Sequence, residues 1–331
     1  MAGAPLTDSF GRVHDNLRIS VTDRCNIRCF YCMPETDVHF VRRREILDFE
    51  EIERFARIAA GLGVRKLRVT GGEPLVRRDL PVLVARLAAI PGIEDLALTT
   101  NGVLLRDLAA PLYAAGLRRL NVHLDTLDRA RFEQITRRDD LPRVLAGLDA
   151  ARRAGFRIKL NAVAVKNLVE PDIVPLARYA RDNGFEARYI EFMPLDAQNL
   201  WDRGKVLLAA QIIETLSREI SPLVPVPDPD PRAPALEYRY ADGSGMVGFI
   251  ASVSRPFCGN CNRIRLTADG KLRYCLFAIE EDDVKTLLRN GASDAEIAAL
   301  VRHNLARKWE GHEINSSKFV APPRPMYSIG G

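Results

Sequence analysis

Short apolar segments of strand character alternate with amphipathic segments over the first two-thirds of the chain. They predict six strands, at 17–22, 66–70, 95–100, 120–124, 157–165 and 187–193. The amphipathic segments predict helices at 49–62, 81–89, 105–115, 142–154 and 173–183. Glycines suited to end a helix follow several of them: Gly63, Gly116, Gly155 and Gly184. Strands separated by single helices form parallel βα units, and six units predict an α/β fold, an incomplete (βα)6 TIM-like barrel rather than a complete one.

One face of nearly every predicted strand is polar. Side chains two residues apart in a strand point the same way, which groups Arg18 with Ser20, Arg68 with Thr70, and Asn121 with His123 and Asp125 in the sequence. The same alternation groups Lys159 with Asn161 and Glu191 with Met193. A fully buried parallel strand is expected to be almost continuously apolar. Because an unpaired buried cation is costly, these faces predict a wet lumen that binds anions.

The last third of the chain has a different character. The proline-rich segment 222–234 excludes regular helix and central strand. We therefore predict a barrel at 1–221, a proline-rich linker at 222–235, and a smaller C-terminal domain at 236–331. Within this domain we expect broken strands over 236–265, a hairpin turn at Asp269–Gly270, and short helices near 282–289 and 294–308.

Composition narrows the function classes without selecting one. The chain has 331 residues, of which 27% are charged, and its formal net charge is +5. The basic residues are scattered among acidic ones, so we expect no nucleic-acid partner. No apolar run has the length of a membrane span or of a signal-peptide core, so we expect no membrane association and a cytoplasmic protein.

The six cysteines form two groups of three. Cys25, Cys29 and Cys32 directly follow the first strand. Three thiolates on one short loop can hold three irons of a [4Fe–4S] cluster and leave the fourth iron open to a small molecule. Zinc is the alternative, but it usually requires four ligands, and no fourth ligand of suitable type lies nearby in the sequence.

The sequence around this loop resembles the radical SAM (S-adenosylmethionine) superfamily. The resemblance rests on the CxxxCxxC spacing with Tyr31 before the last cysteine, and on the segment TGGEP that begins at Thr70. It implies that SAM binds the open iron and that the glycines of TGGEP approach the amino end of SAM. It also implies that reductive cleavage of SAM supplies a 5′-deoxyadenosyl radical.

The second group consists of Cys258, Cys261 and Cys275. A zinc ribbon remains the alternative for this group, although only one cysteine follows the first two, and His303 and His312 are distant in sequence. A second [4Fe–4S] cluster with an open iron fits better. Arg263 and Arg265 lie on one strand face beside it, which suits phosphate.

From about Leu17 to Gly331 the chain is similar to the GTP 3′,8-cyclase family of radical SAM enzymes. The similar segments are LRISVTDRCNIRCFYCMP, LRVTGGEPLVRRDL, TTNG, EFMPL, FCGNCNRIRLTADGKLRYCLF and the Gly-Gly end. The resemblance implies that GTP becomes (8S)-3′,8-cyclo-7,8-dihydro-GTP, the first step of molybdenum-cofactor biosynthesis. It also implies a reductant such as flavodoxin or ferredoxin, and a downstream partner, cyclic pyranopterin monophosphate synthase (MoaC). The oligomeric state is left open between a monomer and a homodimer.

The same resemblance assigns residues to roles. Around SAM it places Tyr31, Gly72, His123 and Met193; against GTP it places Arg18, Arg68, Thr99, Lys159, Arg263 and Arg265; and at the reacting centre it places Arg18, Gly330 and Gly331. The family pattern has Ser where this chain has His123. No GxxxxGK[ST] loop is present, so the lumen cations are expected to replace a P-loop.

Two other functions fit parts of the sequence. A radical SAM peptide-modifying enzyme with an auxiliary cluster would also need the first cysteine group, but such enzymes tend to have more C-terminal cysteines and less need for interior cations. A zinc-bearing nucleic-acid module is a further alternative, which iron and acid-labile sulfide on the protein would exclude.

Overall fold

Six parallel strands connected by helices form the centre of the molecule. The computed structural model describes residues 5–330. The barrel elements, in chain order, are β1 (Asn16–Ser20), α1 (Phe49–Gly61), β2 (Lys66–Thr70), α2 (Leu80–Ala88), β3 (Asp95–Thr100), α3 (Leu105–Ala114), β4 (Arg119–His123), α4 (Arg129–Thr136), α5 (Leu141–Arg153), β5 (Arg157–Ala164), α6 (Glu170–Asp182) and β6 (Glu186–Glu191). Each of the six predicted strands is present, which confirms the incomplete (βα)6 barrel.

The remaining elements follow β6. They are α7 (Ala209–Glu219), β7 (Leu223–Pro225), β8 (Leu236–Tyr240), β9 (Met246–Ile250), β10 (Arg263–Leu266), β11 (Lys271–Arg273), β12 (Asp282–Asp283), α8 (Val284–Arg289), α9 (Asp294–Ala306) and α10 (Met326–Ile329). The sequence did not predict α4, α7 or α10. Asp128, whose side chain accepts a hydrogen bond from the Arg131 amide at the start of α4, is an N-cap signal that identifies the first of these.

Local sequence accounts for where the predicted helices begin and end. Asp48 and Glu51 form a capping box at the start of α1, each side chain binding the backbone amide of the other residue. The glycines predicted to end helices all have positive φ values, for example +101° at Gly63 and +93° at Gly155. This conformation is accessible to glycine at little cost, so the chain can turn there into the next strand.

A single sheet includes the barrel strands and the C-terminal strands. Its order is β12-β11-β10-β1-β2-β3-β4-β5-β6-β9-β8-β7. β10 pairs in parallel with β1, and β9 pairs in parallel with β6, so C-terminal strands extend both edges of the six-stranded array. The segment predicted to form a separate domain at 236–331 therefore shares its sheet with the barrel, while the boundary itself stays a prediction.

The proline-rich segment contains one element that the sequence did not predict. β7 lies inside the predicted linker and pairs antiparallel with β8 at the edge of the sheet. Proline is tolerated at an edge because one side of the strand needs no ladder hydrogen bond.

The apolar faces of the strands pack outward against the helices. Leu17, Ile19, Leu67 and Val69 are at most 1% exposed and belong to one large core cluster. The polar faces are thereby turned toward the lumen. No helix in residues 5–330 combines the length and the apolar character that a membrane crossing requires.

Candidate functional site

The first cysteine group lies at the carboxyl end of β1. Cys25, Cys29 and Cys32 line a cavity of about 210 Å³. Backbone hydrogen bonds from the Cys32 and Met33 amides to the Cys29 carbonyl, of 2.9 and 3.0 Å, fold the loop into a tight turn. Burial, with the nearby Glu73 carboxylate, raises the pKa of Cys25 to about 12. Iron binds the thiolate form, so ligation by Cys25 would have to displace this proton.

The glycines of the TGGEP turn pack against the backbone of this cysteine loop. A Cβ atom on Gly72 would lie 2.5 Å from the Arg24 carbonyl oxygen, and one on Gly71 would lie 2.7 Å from the Thr22 carbonyl oxygen. The Gly72 amide donates to the Thr22 carbonyl at 2.6 Å. From the sequence, these glycines were explained by the close approach of a ligand to the backbone. The structure adds a second reason, because no side chain fits between the two loops.

The predicted SAM contacts all line the smaller cavity: Tyr31, Gly72, His123 and Met193. The Tyr31 hydroxyl donates to Asp125 Oδ2 at 2.5 Å, and His123 Nε2 lies 3.0 Å from the same oxygen. The Val163 amide binds the other oxygen of Asp125 at 2.7 Å. The sequence placed Asp125 on the polar strand face but gave it no role. Its Oδ2 atom contacts both Tyr31 and His123 and so holds the two side chains in place.

Burial and charge act in opposite directions on His123. Burial lowers the pKa of this imidazole, but the Asp125 carboxylate outweighs burial and holds the pKa well above its usual value. Asp125 thereby favours the protonated form of His123 at the wall of the smaller cavity.

The predicted GTP contacts line a second, larger cavity of about 430 Å³. All six are present there: Arg18, Arg68, Thr99, Lys159, Arg263 and Arg265. The strand register places Arg18 directly between Arg265 on β10 and Arg68 on β2. Three guanidinium groups from three neighbouring strands therefore share one wall of this cavity.

These three arginines lack carboxylate partners within residues 5–330. Burial and the neighbouring arginines lower the pKa of Arg18, that of Arg68 to about 10, and that of Arg265 to about 9. The Nε atoms of Arg18 and Arg68 are buried without a hydrogen-bond partner in that part of the chain. Unpaired donors and crowded positive charge are the features of a site built for an anionic ligand.

Other cations in this cavity were not predicted. Lys66, Arg119 and Arg188 also line it. Arg119 pairs with Asp95 at 2.7 Å, and Arg188 pairs with Glu186 at 2.6 Å. Lys159, a predicted contact, likewise pairs with Glu186 at 2.7 Å. The cations of this cavity without a carboxylate partner in residues 5–330 are therefore the three arginines of this wall and the adjacent Arg263.

The sixth strand corrects one predicted face. The sequence paired Glu191 with Met193 as lumen residues, but β6 ends at Glu191, so the alternation does not continue. The Glu191 carboxylate is 1% exposed and accepts hydrogen bonds from the backbone amides of Ala209, Val253 and Ser254. Met193 lines both cavities as predicted, whereas Glu191 lines only the smaller one, and Arg188 and Ile190 line the larger cavity.

The second cysteine group faces the cationic cavity. Cys258, Cys261 and Cys275 line it together with His312, although that histidine is distant in sequence. The sequence gave His312 little weight as a fourth zinc ligand because of that distance, whereas the structure places it on the wall of the same cavity. Its Nδ1 atom accepts a hydrogen bond from the Ile314 amide at 3.3 Å, and its ring packs 5.0 Å from that of Phe277.

The donor sets of both groups fit iron–sulfur clusters. Within residues 5–330, no three Cys, His, Asp or Glu side chains converge closely enough to hold a single metal ion. A [4Fe–4S] cluster binds each thiolate to a different iron, so its ligands are spread around the cluster. Each group offers three free cysteines on a cavity wall, with no disulfide among the six.

Gly330 contacts Arg265 in the wall of the larger cavity. The Gly330 carbonyl accepts a hydrogen bond of 2.8 Å from Arg265, and a Cβ atom on Gly330 would lie 2.6 Å from Cβ of Ser20. Gly331 lies outside the described residues. The two cavities share five lining residues: Thr99, Asn161, Ile190, Met193 and Met326. Ligands in the two cavities would meet there.

Comparison with known proteins identifies relatives along the whole chain. Residues 19–180 match the Radical SAM superfamily, and residues 185–314 match the family Molybdenum Cofactor Synthesis C. The GTP 3′,8-cyclase of Rhodopirellula baltica is 50% identical and is aligned over 98% of this chain and 92% of its own. The GTP 3′,8-cyclase of Pelotomaculum thermopropionicum is 46% identical over 98% of this chain and 100% of its own.

Solved structures share the fold. SuiB of Streptococcus suis bound to S-adenosylmethionine superposes with a TM-score of 0.64 at 15% identity, over 94% of this chain and 76% of its own. Methylornithine synthase has a TM-score of 0.55 at 18% identity, over 87% of this chain and 86% of its own. At these identities the similarity concerns the fold alone, so it does not favour a peptide substrate.

Proposed function

Since this chain belongs to the GTP 3′,8-cyclase family of radical SAM enzymes, we infer that it converts GTP to (8S)-3′,8-cyclo-7,8-dihydro-GTP, the first step of molybdenum-cofactor biosynthesis. One structural observation supports this function independently of family membership. Three arginines without carboxylate partners in residues 5–330 line the same cavity as the second cysteine group. A nucleotide triphosphate supplies the negative charge that these arginines lack.

Two [4Fe–4S] clusters are part of the proposal. Cys25, Cys29 and Cys32 would hold the first, and Cys258, Cys261 and Cys275 the second. Tyr31, Gly72, His123 and Met193 would surround SAM in the smaller cavity. When bound, the first cluster and SAM supply the 5′-deoxyadenosyl radical that removes a hydrogen atom from ribose C3′ of GTP.

The chain's own residues orient the nucleotide. Arg18, Arg68 and Arg265, with Arg263 and Lys159, would bind the triphosphate by charge-assisted hydrogen bonds. The guanine would face the second cysteine group. Because Thr99 and Met193 line both cavities, the ribose of a nucleotide held in this way lies where it can meet SAM. Such positioning is the main contribution that a protein makes to a cofactor-driven step.

Arg18 and the Gly-Gly end are the proposed groups at the reacting centre. The hydrogen bond from Arg265 to the Gly330 carbonyl supports an ordered tail near the phosphate-binding wall. Glycines fit there because Ser20 leaves no room for a side chain on Gly330. The tail would exclude water from the nucleotide while it reacts.

The proposed partners rest on the family. A flavodoxin or ferredoxin would supply electrons, and MoaC would convert the product into cyclic pyranopterin monophosphate. A cytoplasmic location, and a monomer or homodimer, belong to the same proposal.

An anaerobic assay tests the function. The protein is reconstituted with iron and sulfide, reduced with dithionite, and given SAM with or without GTP. We expect mass spectrometry to detect 5′-deoxyadenosine and the cyclised nucleotide only when GTP is present. Deoxyadenosine without a GTP product would refute the assigned substrate and leave the radical SAM core.

A cysteine variant tests the second cluster. Cys258→Ala should bind about half of the iron and form no cyclised nucleotide, because the guanine loses its site. Full turnover by this variant would refute the second cluster.

A further inference from the structure

A buried lysine lies behind the second cysteine group. Lys308 follows α9 and is 4% exposed. Its Nζ atom donates to the Arg263 carbonyl at 2.9 Å and to the Tyr274 carbonyl at 2.7 Å, and it lies 3.5 Å from Cys261 Sγ. The ammonium has three donors, and these three acceptors use all of them.

The acceptors place Lys308 at the centre of the cysteine-bearing segments. Arg263 is two residues after Cys261, and Tyr274 directly precedes Cys275. One ammonium therefore joins β10 to the end of β11, and both segments supply proposed cluster ligands. Displacing it would alter the separation of Cys261 and Cys275 as well as the charge beside them.

The charge of Lys308 needs a counter-charge. Within residues 5–330 it has no carboxylate partner, and two carbonyl dipoles offset the burial of a full charge only in part. Thiolates bound to a cluster remain anionic, so they are the counter-charge that the fold supplies.

A second cation near Cys261 has a different position. Arg263 Nη2 lies 3.7 Å from Cys261 Sγ, but its side chain lines the cavity and lies over the Phe257 ring. It is therefore available to the substrate. Lys308 is absent from the lining of that cavity and acts from behind the group.

We propose that Lys308 is a positioning residue of the second cluster, whose ammonium joins the segments bearing Cys261 and Cys275 and donates a hydrogen bond to the Cys261 sulfur. This rests on the proposed function, in which these cysteines hold a cluster. A positive donor at a cluster sulfur stabilises the more negative, reduced form, so Lys308 raises the reduction potential of this cluster.

The test observes the second cluster alone. In the full-length chain, Cys25, Cys29 and Cys32 are replaced by Ala, so the remaining iron belongs to the second group. Lys308→Met is introduced to remove the charge with similar volume, and Lys308→Arg is the matched control that keeps the charge. Iron and sulfide contents are measured, and the cluster is titrated with dithionite under electron paramagnetic resonance.

We expect Lys308→Met to shift the midpoint to a more negative potential. At the midpoint of the parent, where half of the cluster is reduced, the Met variant should be mostly oxidised. Lys308→Arg should remain closer to the parent. An unshifted midpoint in a Met variant with full iron content overturns the proposal for Lys308 and leaves the two-cluster function intact. A parent protein that binds no iron overturns the second cluster itself.

A measurement without a Lys308 substitution covers the case in which Lys308→Met loses its iron. The parent is labelled with ¹⁵N-lysine, and its reduced cluster is examined by pulsed electron paramagnetic resonance. The hydrogen bond predicts a weak ¹⁵N coupling from the lysine ammonium, which supports the proposal even if Lys308→Met cannot hold iron. The absence of any ¹⁵N coupling overturns it.

Discussion

At the residue scale, the defining feature is a wall of arginines held in place without carboxylates. Arg18, Arg68 and Arg265 repel one another because they lie side by side on adjacent strands. Neighbouring Arg119 instead has Asp95 at 2.7 Å. In the proposed function the nucleotide would be the missing counter-ion for the first three, which distinguishes them from the paired cations in the same cavity.

Replacing Arg265 tests this distinction. Arg265→Ala should weaken GTP binding by about tenfold or more, since a charge-assisted hydrogen bond is lost, and leave SAM binding nearly unchanged. Calorimetric titration of the reconstituted protein measures both affinities. Arg119→Ala is the matched control and should have a smaller effect, because Asp95 already neutralises that guanidinium. Equal losses of GTP and SAM affinity would contradict the phosphate role.

His14 makes stability depend on pH. It is 0% exposed, and burial lowers its pKa to about 3, so it folds as a neutral ring whose Nδ1 atom contacts the Arg12 carbonyl at 2.8 Å. The unfolded state takes up a proton near pH 6.5, so this stabilisation is complete above that pH and is lost progressively toward pH 3. It amounts to about 2 kcal/mol between pH 7 and pH 5.

Substitution of His14 removes this dependence. His14→Asn keeps a donor for the Arg12 carbonyl but does not titrate in this range. The free energy of unfolding, from denaturant titrations of the apoprotein between pH 7 and pH 5, should therefore fall less steeply in the variant. Identical slopes would show that His14 is not the titrating group.

At the scale of elements, the short helix α10 brings Gly330 to Arg265 in the wall of the larger cavity. The Met326 amide binds the Leu195 carbonyl at 3.0 Å, and Arg324 binds Asp269 at 2.9 Å. These contacts lead to Gly330, which has a φ of +87°. Backbone conformation and lack of space thus both require glycine at this position.

An alanine substitution separates these two requirements. Gly330→Ala should lower the rate of GTP cyclisation by about tenfold or more, because a displaced tail disorders the site. Gly291→Ala is the control: it has a φ of +75° but no atom within 4 Å of the added Cβ. Both variants should lose similar thermal stability. A Gly330→Ala enzyme as active as Gly291→Ala would exclude a role for the tail.

At the scale of the whole molecule, C-terminal strands complete both edges of the barrel sheet. Without β9 and β10, the backbone groups on the outer edges of β6 and β1 would be unpaired, and exposed edges favour aggregation. Glu191 would also lose the amides of Val253 and Ser254 as partners for its buried carboxylate. The predicted division at 221 therefore separates segments that stabilise each other.

A truncated chain and a nicked chain test whether the barrel depends on the C-terminal strands. A fragment of residues 1–221 should aggregate or lack a cooperative thermal transition. The full chain nicked by protease within 226–234 is the control, and its two parts should remain associated because β6–β9 and β1–β10 pairing is intact. Size-exclusion chromatography and circular dichroism distinguish these outcomes. A monomeric 1–221 fragment with a sharp transition would establish an independent barrel.

Much of the barrel and many of the site positions were determined by the sequence alone. Strand and helix periodicity are local properties, so the six strands and five helices were predicted to within a few residues. The cysteine spacing and the polar strand faces are local as well. They identified Arg18, Arg68 and Lys159 as lumen residues before any fold was known.

Only the tertiary structure decided which distant residues meet. It placed β10 beside β1, which aligns Arg265 with Arg18, and it brought His312 and Lys308 to cysteines that are many residues away. It also gave Asp125 its partners and turned Glu191 away from the larger cavity. These contacts depend on the order of the strands and on the burial of groups that are far apart in the chain. A local pattern of polar and apolar residues determines neither the strand order nor that burial.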